Sequence, residues 1–127
     1  MAHPNIAGLT QVAITVRDLD ASVAFYRDVL GLRFLFKAPP AMAFLQCGDV
    51  RIMLGAQPGD EAQSHPILYY DVEDVQRALT AIRNHEGVKV RSEPHVVARL
   101  DTAEVWLAFV EDPDGHPVGL MSERSIA

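Results

Sequence analysis

The sequence predicts an α+β fold in which two βαβββ modules, one in each half of the chain, pack together into a single domain. Two observations predict this fold. The first is an internal repeat, because residues 16–31 and 72–87 match at a constant offset of 56 positions. The second is that each half carries one helix pattern, with a strand pattern before it and several strand patterns after it.

The repeated positions are those that begin, shape and end a helix. Asp18 and Asp74 are of the residue type that caps a helix by accepting its free backbone N–H groups. Gly31 and Gly87 suit the left-handed position that follows the last turn. Apolar residues between them recur at helical spacing, in the first half Leu19, Val23, Tyr26 and Leu30 and in the second Val75, Leu79 and Ile82. We therefore predict one helix between each aspartate and the following glycine.

Strand patterns flank both predicted helices, and turn sequences separate several of them. The predicted strands are residues 9–16, 32–36, 41–47 and 50–54 in the first half, and 67–72, 88–91, 95–100, 105–111 and 117–121 in the second. Gly48-Asp49 and Asp112-Pro-Asp-Gly115 are the turn sequences. Residues 56–66 have the composition of a linker, so we place module one at residues 8–55 and module two at residues 67–122 of one domain spanning 1–127.

Composition excludes several classes of partner. The chain has 127 residues, 49% of them hydrophobic, and a formal net charge of −6 without a cluster of lysine or arginine, so we expect no nucleic-acid partner. Its single cysteine, Cys47, permits no intrachain disulfide. No apolar run reaches the roughly 20 residues that cross a bilayer, and the first residues lack a signal-peptide pattern. We expect a cytoplasmic protein with no membrane partner.

Three segments together resemble one protein family. They are Gln11-Val-Ala-Ile-Thr-Val-Arg-Asp-Leu-Asp, Ala24-Phe-Tyr-Arg-Asp-Val-Leu-Gly-Leu32 and Phe109-Val-Glu-Asp-Pro-Asp-Gly115. The chain resembles the vicinal oxygen chelate superfamily, which contains glyoxalases, extradiol dioxygenases, fosfomycin-resistance proteins and bleomycin-resistance proteins. The resemblance implies a glyoxalase-like fold, with curved mixed sheets around a cup, helices outside, and a homodimer. It leaves the reaction open, because this scaffold hosts several chemistries.

In the enzymes of this family a divalent metal sits in the cup, held by four ligands from the first and fourth strands of both modules. The corresponding positions in this sequence are Gln11, Met53, Ile67 and Gly119. A catalytic divalent metal needs about three side chains of the histidine, carboxylate or thiolate type. Only Gln11 offers a plausible ligand atom, so we predict no cofactor, with a metal site rebuilt from other residues, such as His65, as the alternative.

Strand alternation predicts which side chains of the first and fourth strands would line the cup beside these positions, and Trp106 is added as the only tryptophan. We predict ligand-binding roles for Gln11, Arg51, Met53, Ile67, Tyr69, Trp106 and Gly119. Arg51 suits a carboxylate or phosphate of the ligand, the alternative being a strand-end arginine paired with a nearby acid. Trp106 suits stacking on a flat ligand, and a core position is the alternative. Gly119 would leave room for the ligand.

The two candidates for acid–base chemistry are His95 and Tyr69. A histidine titrates near neutral pH, and a tyrosine hydroxyl donates a hydrogen bond. We predict a protein that binds a small organic molecule in an apolar cup without the family's metal, and the sequence does not decide whether it is an enzyme. The alternatives are a metal-dependent lyase or dioxygenase with unorthodox ligands and a drug-sequestering protein of the resistance type.

Overall fold

A computed structural model of the chain describes residues 4–57 and 66–125. The chain forms two compact units, Met1–Gln63 and Ser64–Ala127, and each contains one complete βαβββ module, as the repeat predicts. No helix in the described part of the chain combines the length and the apolar character needed to cross a membrane.

Module one is a four-stranded mixed sheet with one helix. Its elements are β1 (Gln11–Val16), α1 (Leu19–Ala24) with a π-helical continuation (Phe25–Val29), β2 (Arg33–Ala38), β3 (Met42–Cys47) and β4 (Val50–Ala56). The strand order is β1-β4-β3-β2, with β1 parallel to β4 and the remaining pairs antiparallel.

Module two repeats this topology. Its elements are β5 (Leu68–Asp71), α2 (Val75–Arg83), β6 (Lys89–Arg99), β7 (Ala103–Glu111) and β8 (Pro117–Ser125). The strand order is β5-β8-β7-β6, and β5 is parallel to β8. The first strand of each module therefore pairs with the fourth, which places the positions of interest on neighbouring strands.

The prediction of separate strands at residues 88–91 and 95–100 is wrong, because β6 is one strand of 11 residues. Its pairing with β7 shifts register three times, and one of the shifts lies between Ser92 and His95. Pro94 lies in this interval. A proline has no N–H to give to a sheet, so it is tolerated here because β6 is an edge strand with a bulge.

The predicted helix ends are confirmed. The Asp18 carboxylate accepts the backbone N–H of Ala21 at 3.0 Å, and the Asp74 carboxylate accepts those of Gln76 and Arg77 at 3.0 and 3.2 Å. The two glycines that follow the helices, Gly31 and Gly87, have φ angles of +79° and +83°. Local sequence therefore specifies where both helices begin and end.

Each sheet has one face packed against the helix of its own module, here called the helix face, and an opposite face called the open face. Alternating residues on the strands are buried on the helix face, among them Ile14, Leu45, Leu54, Val110, Val118 and Leu120. Cross-strand register places the following residues on the open faces: Gln11, Ala13, Arg33, Phe36, Phe44, Gln46, Arg51 and Met53 in module one, and Tyr69, Asp71, His95, Leu107, Phe109, Gly119, Met121 and Glu123 in module two.

Candidate functional site

On module one, the two family positions meet an arginine. Gln11 and Met53 lie on adjacent strands, with the amide nitrogen of Gln11 3.8 Å from the sulfur of Met53. Arg51, directly opposite Gln11 in the register, donates from Nε to the Gln11 side-chain oxygen at 2.7 Å. The same guanidinium lies 5.7 Å from the centre of the Phe44 ring. The only amide oxygen at the family positions is therefore bound to a cation.

On module two, the two family positions carry no polar side chain, and an aromatic ring covers one of them. A Cβ atom added to Gly119 would lie only 2.7 Å from Cδ2 of Tyr69. The Tyr69 ring also contacts Phe109 edge to face, with 5.7 Å between ring centres, and Tyr69 remains 48% exposed. Ile67 precedes β5 and is 42% exposed. The prediction that Gly119 leaves room for a ligand is wrong, because Tyr69 fills that space.

Trp106 lies on the helix face, not on the open face with Tyr69. It pairs in register with Ser122, whereas its neighbour Leu107 pairs with Met121 of the open face. The guanidinium carbon of Arg124 is 4.8 Å from the Trp106 ring centre, and Arg124 donates to the Asp74 carboxylate at 2.7 Å. The expected position of Trp106 beside the open-face residues is therefore wrong. Its ring packs against Arg124, which binds the residue that caps the N-terminus of α2.

The Asp74 carboxylate gathers several donors at that helix end. The backbone N–H of Arg77, and then the Arg124 guanidinium, hold the pKa of Asp74 below its usual value. The carboxylate is therefore ionised at neutral pH, and it links α2 to the last strand of its module.

His95 lies on the open face of module two, opposite Leu107, and is exposed. Its Nδ1 is 2.8 Å from the backbone oxygen of Glu93. A nitrogen beside a carbonyl oxygen must donate, so the neutral ring keeps its lone pair on Nε2. Tyr69 and His95 occupy opposite edge strands, three strand spacings or about 14 Å apart. The two candidates share a face but do not form a pair, and their catalytic roles remain predictions.

Cys47 does not offer a reactive group in place of a Tyr69–His95 pair. Burial raises the pKa of its thiol, so the reactive thiolate is disfavoured at neutral pH.

Sequence reasoning missed the aromatic residues of the module one open face. Phe36 and Phe44 stack with 4.6 Å between their ring centres, and Phe36 is 49% exposed. Alternation along β3 was the available signal, because Phe44 pairs with Met53, a residue already assigned to this face. What the sequence does not show directly is which residues of β2 and β3 stand beside each other.

An acidic groove opens on module two at the end of β5. Its volume is about 600 Å³. The residues that line it are Tyr69, Asp71, Val72, Glu73, Met121, Ser122 and Glu123. Three of these seven are carboxylates and none is a lysine or arginine. The open face of module one, by contrast, carries Arg33 and Arg51.

Comparison with known proteins identifies the family. The model of the glyoxalase/bleomycin resistance protein/dioxygenase superfamily matches residues 8–120. The chain belongs to this superfamily. The match spans both βαβββ modules from the start of the first strand into the last.

Individual relatives agree with this assignment. The lactoylglutathione lyase of Haemophilus influenzae is 30% identical over 88% of this chain and 90% of its own length. A Synechocystis protein with the name "Probable lactoylglutathione lyase" is 32% identical over 92% of this chain and 96% of its own. The crystal structure of lactoylglutathione lyase from Agrobacterium tumefaciens has a TM-score of 0.75, covers 92% of this chain and 94% of its own, and is 23% identical. That structural likeness shows the shared fold.

The side chains at the four family positions do not fit a catalytic divalent metal. Gln11 supplies an amide oxygen and Met53 a thioether, whereas Ile67 and Gly119 supply no ligand atom. Hard and borderline ions need about three histidine or carboxylate ligands. In addition, Arg51 already binds the Gln11 oxygen, and its positive charge opposes a second cation at that atom.

A second group of potential ligand atoms lies in the turn between β7 and β8. Single ligand atoms of Asp112, Asp114 and His116 lie within 4.8 Å of one another. One Asp112 oxygen accepts the backbone N–H groups of Asp114 and His116, each at 2.9 Å, and the other is 3.1 Å from Nδ1 of His116. Both oxygens therefore hold the turn together. His65, the residue considered for a rebuilt site, lies outside the described residues.

Proposed function

We propose that this protein binds a small organic molecule on the open faces of its modules and holds no catalytic metal at the four family positions. The contact between Arg51 and Gln11 carries the proposal, because a cation occupies the single hard donor atom of the set. A metal ion would have to displace this guanidinium and would then gain one amide oxygen and a thioether. Such a set is too weak to retain a hard ion.

The remaining composition of the open faces supports a binding site. Aromatic and apolar side chains surround a few polar groups, as in most small-molecule sites. In module one the polar groups include Gln11 and Arg51, and in module two they include Tyr69 and Asp71. Polar groups that are few and fixed orient a ligand, while the apolar area provides the binding free energy.

The acidic groove favours a second candidate function, the sequestration of a cationic guest. Asp71, Glu73 and Glu123 line it together with Tyr69, whose ring suits an organic cation. This is the resistance-type alternative, and its ligand would carry the opposite charge to a ligand bound by Arg51. A third candidate is a lyase, which the names of the relatives support, and the donor set at the four positions opposes a metal-dependent one.

Metal analysis separates the binding proteins from the metalloenzyme. We expect the protein, purified without a polyhistidine tag or chelators and dialysed, to contain far less than one Fe, Ni, Zn or Mn per chain. Near-stoichiometric metal that disappears in Gln11→Ala would contradict the proposal. Gln46→Ala is the matched control, since Gln46 shares the open face and its side chain binds the backbone oxygen of Gly48.

Thermal shift then separates the two binding candidates, because a ligand that binds only the native state raises its melting temperature. A panel of anionic, neutral and cationic aromatic compounds is scored against the unliganded protein. Stabilisation by any class supports a binding function. Stabilisation by cations alone, abolished by Asp71→Asn, supports the sequestering alternative, and failure of every class would contradict the proposal.

A further inference from the structure

We infer that the open face of module one binds a planar aromatic carboxylate, with Arg51 holding the carboxylate and the stacked rings of Phe36 and Phe44 contacting the aromatic ring. The inference deepens the proposed function and rests on it. It names the chemical class of the ligand and the two elements that recognise it.

Arg51 is held in place with part of its guanidinium still available. Its Nε donates to Gln11 and its plane lies near the ring of Phe44, so two contacts restrict the side chain. Within residues 4–57 and 66–125 no carboxylate forms an ion pair with Arg51. An arginine fork that is restrained but lacks a counter-ion matches the two oxygens of a carboxylate in one plane.

The charge of this face selects an anion. Register places Arg33, Gln46, Arg51 and Gln11 in one row across the sheet. Over the described strands of module one, the open face carries these two arginines and no aspartate or glutamate. Two cations without acidic neighbours attract an anionic ligand and disfavour a cationic one.

The neighbouring row selects an aromatic ring. Met53, Phe44 and Phe36 lie side by side on β4, β3 and β2. They are two residues from the arginine row along β3 and β4, and three along β2, where a bulge adds one residue. Two residues of strand correspond to about 7 Å, so one ligand can place its carboxylate on the first row and its ring on the second. The exposed half of Phe36 and its stack with Phe44 offer an aromatic surface at that point.

Calorimetric titration of the full chain with 2-naphthoate tests this assignment. Arg51→Gln should weaken 2-naphthoate binding by about tenfold or more, because a charge-assisted contact is lost. It should leave the affinity for the neutral 2-naphthamide unchanged. Arg51→Lys should retain part of the affinity through its charge, and Arg77→Gln, on the exposed surface of α2, is the matched arginine control.

The aromatic part of the inference has its own comparison. Phe36→Leu should reduce binding of 2-naphthoate more than binding of its saturated analogue, decahydro-2-naphthoate, because only the aromatic ligand loses a ring partner. Circular dichroism and melting temperature establish that each variant is folded before titration. Tighter binding of phenyl phosphate than of benzoate would overturn the choice of a carboxylate.

The outcomes separate this inference from the proposed function. If 2-naphthoate binds wild type and Arg51→Gln equally, or if only cationic compounds bind, the inference is wrong and the binding function stands. If no compound of any class binds, or if metal is retained through Gln11, the proposed function itself fails.

Discussion

The two modules differ in which strand supplies the large side chain at an equivalent cross-strand pair. In module one the small Ala13 on the first strand stands opposite the large Met53 on the fourth. In module two the large Tyr69 on the first strand stands opposite Gly119 on the fourth. Each pair combines one long side chain with one short or absent side chain, so the two sheets have similar side-chain volume at this pair. The long side chain comes from the fourth strand in module one and from the first strand in module two.

This exchange of large and small residues between the strands indicates that packing and metal-binding chemistry place separate requirements on these positions. A sheet face requires cross-strand pairs of suitable combined size, whichever strand provides the larger member. A metal site requires specific donor atoms at specific positions. Module one retains a polar pair that an arginine occupies, and module two has an aromatic ring over a glycine. The repeat therefore survives in the backbone and is lost in the side-chain chemistry.

Among the variants that test this comparison, Gly119→Ala should have the largest effect on stability. The new Cβ would meet the Tyr69 ring at 2.7 Å, so we expect the free energy of unfolding to fall by about 1–3 kcal/mol, as in other overpacked sites. Equilibrium urea denaturation measures this change. Adding Tyr69→Ala to the same chain should remove the contact, so the double variant should lose less stability than the sum of the two single variants.

Gly55→Ala is the matched control for that experiment. Gly55 also lies on the open face, on β4, and a Cβ added there meets no atom within 4 Å. We expect little change or a slight gain in stability, since alanine restricts the unfolded chain. Equal effects of Gly119→Ala and Gly55→Ala would mean that Tyr69 does not occupy the space above Gly119.

Substitution of the two helix caps should have an intermediate effect on stability. Asp74→Ala should lower the melting temperature more than Asp18→Ala, because Asp74 accepts two backbone N–H groups and binds Arg124, whereas Asp18 accepts one backbone N–H group. Differential scanning calorimetry at pH 7 measures both variants. A larger effect of Asp18→Ala would show that Arg124 adds nothing to the cap.

The contribution of Asp74 to stability has a predictable pH dependence. The pKa of Asp74 is lowered in the folded state, chiefly by the backbone N–H of Arg77, so its ionised form is favoured by folding. That contribution is present above the unfolded pKa of about 3.9 and is lost as the pH falls through the lower folded value. The gap in melting temperature between wild type and Asp74→Ala should therefore narrow below about pH 4.

The smallest expected effect concerns Trp106. Because its ring lies on the helix face against Arg124, binding of benzoate to the open face of module one should leave its fluorescence unchanged. Trp106 is the only tryptophan, so excitation at long wavelength reports on it alone. Arg124→Met, which removes the cation from its ring, is the positive control. Strong quenching by benzoate at saturating concentration would place the ligand beside Trp106 instead.

Much of the fold was predictable from the sequence because helix caps, turn glycines and apolar spacing act over a few neighbouring residues. Asp18, Gly31 and the apolar spacing between them specify a helix without reference to the rest of the chain. The repeat then identified the second copy. The strand division failed in β6, where Pro94 suggests a break that an edge strand absorbs in a bulge.

The candidate site was less predictable because its contacts depend on register. Alternation placed Gln11, Arg51 and Met53 on one face, but the hydrogen bond from Arg51 to Gln11 follows from the parallel register of β1 and β4. For Trp106 the sequence left a ligand-stacking role and a core position open, and the helix face on which it lies agrees with the second. The phase of alternation on β7 follows from its pairing with β8, in which Trp106 stands opposite Ser122 and Leu107 opposite Met121.

The exchanged pairs also constrain how this sequence can evolve. A glutamate at position 119 would be obstructed by Tyr69, and a new ligand at position 11 would face the Arg51 guanidinium. The space for a side chain at position 119 therefore depends on the residue at position 69, and the charge around a donor at position 11 depends on the residue at position 51. The four positions hold no histidine or carboxylate, so no single substitution gives them the three hard ligands of a catalytic metal site.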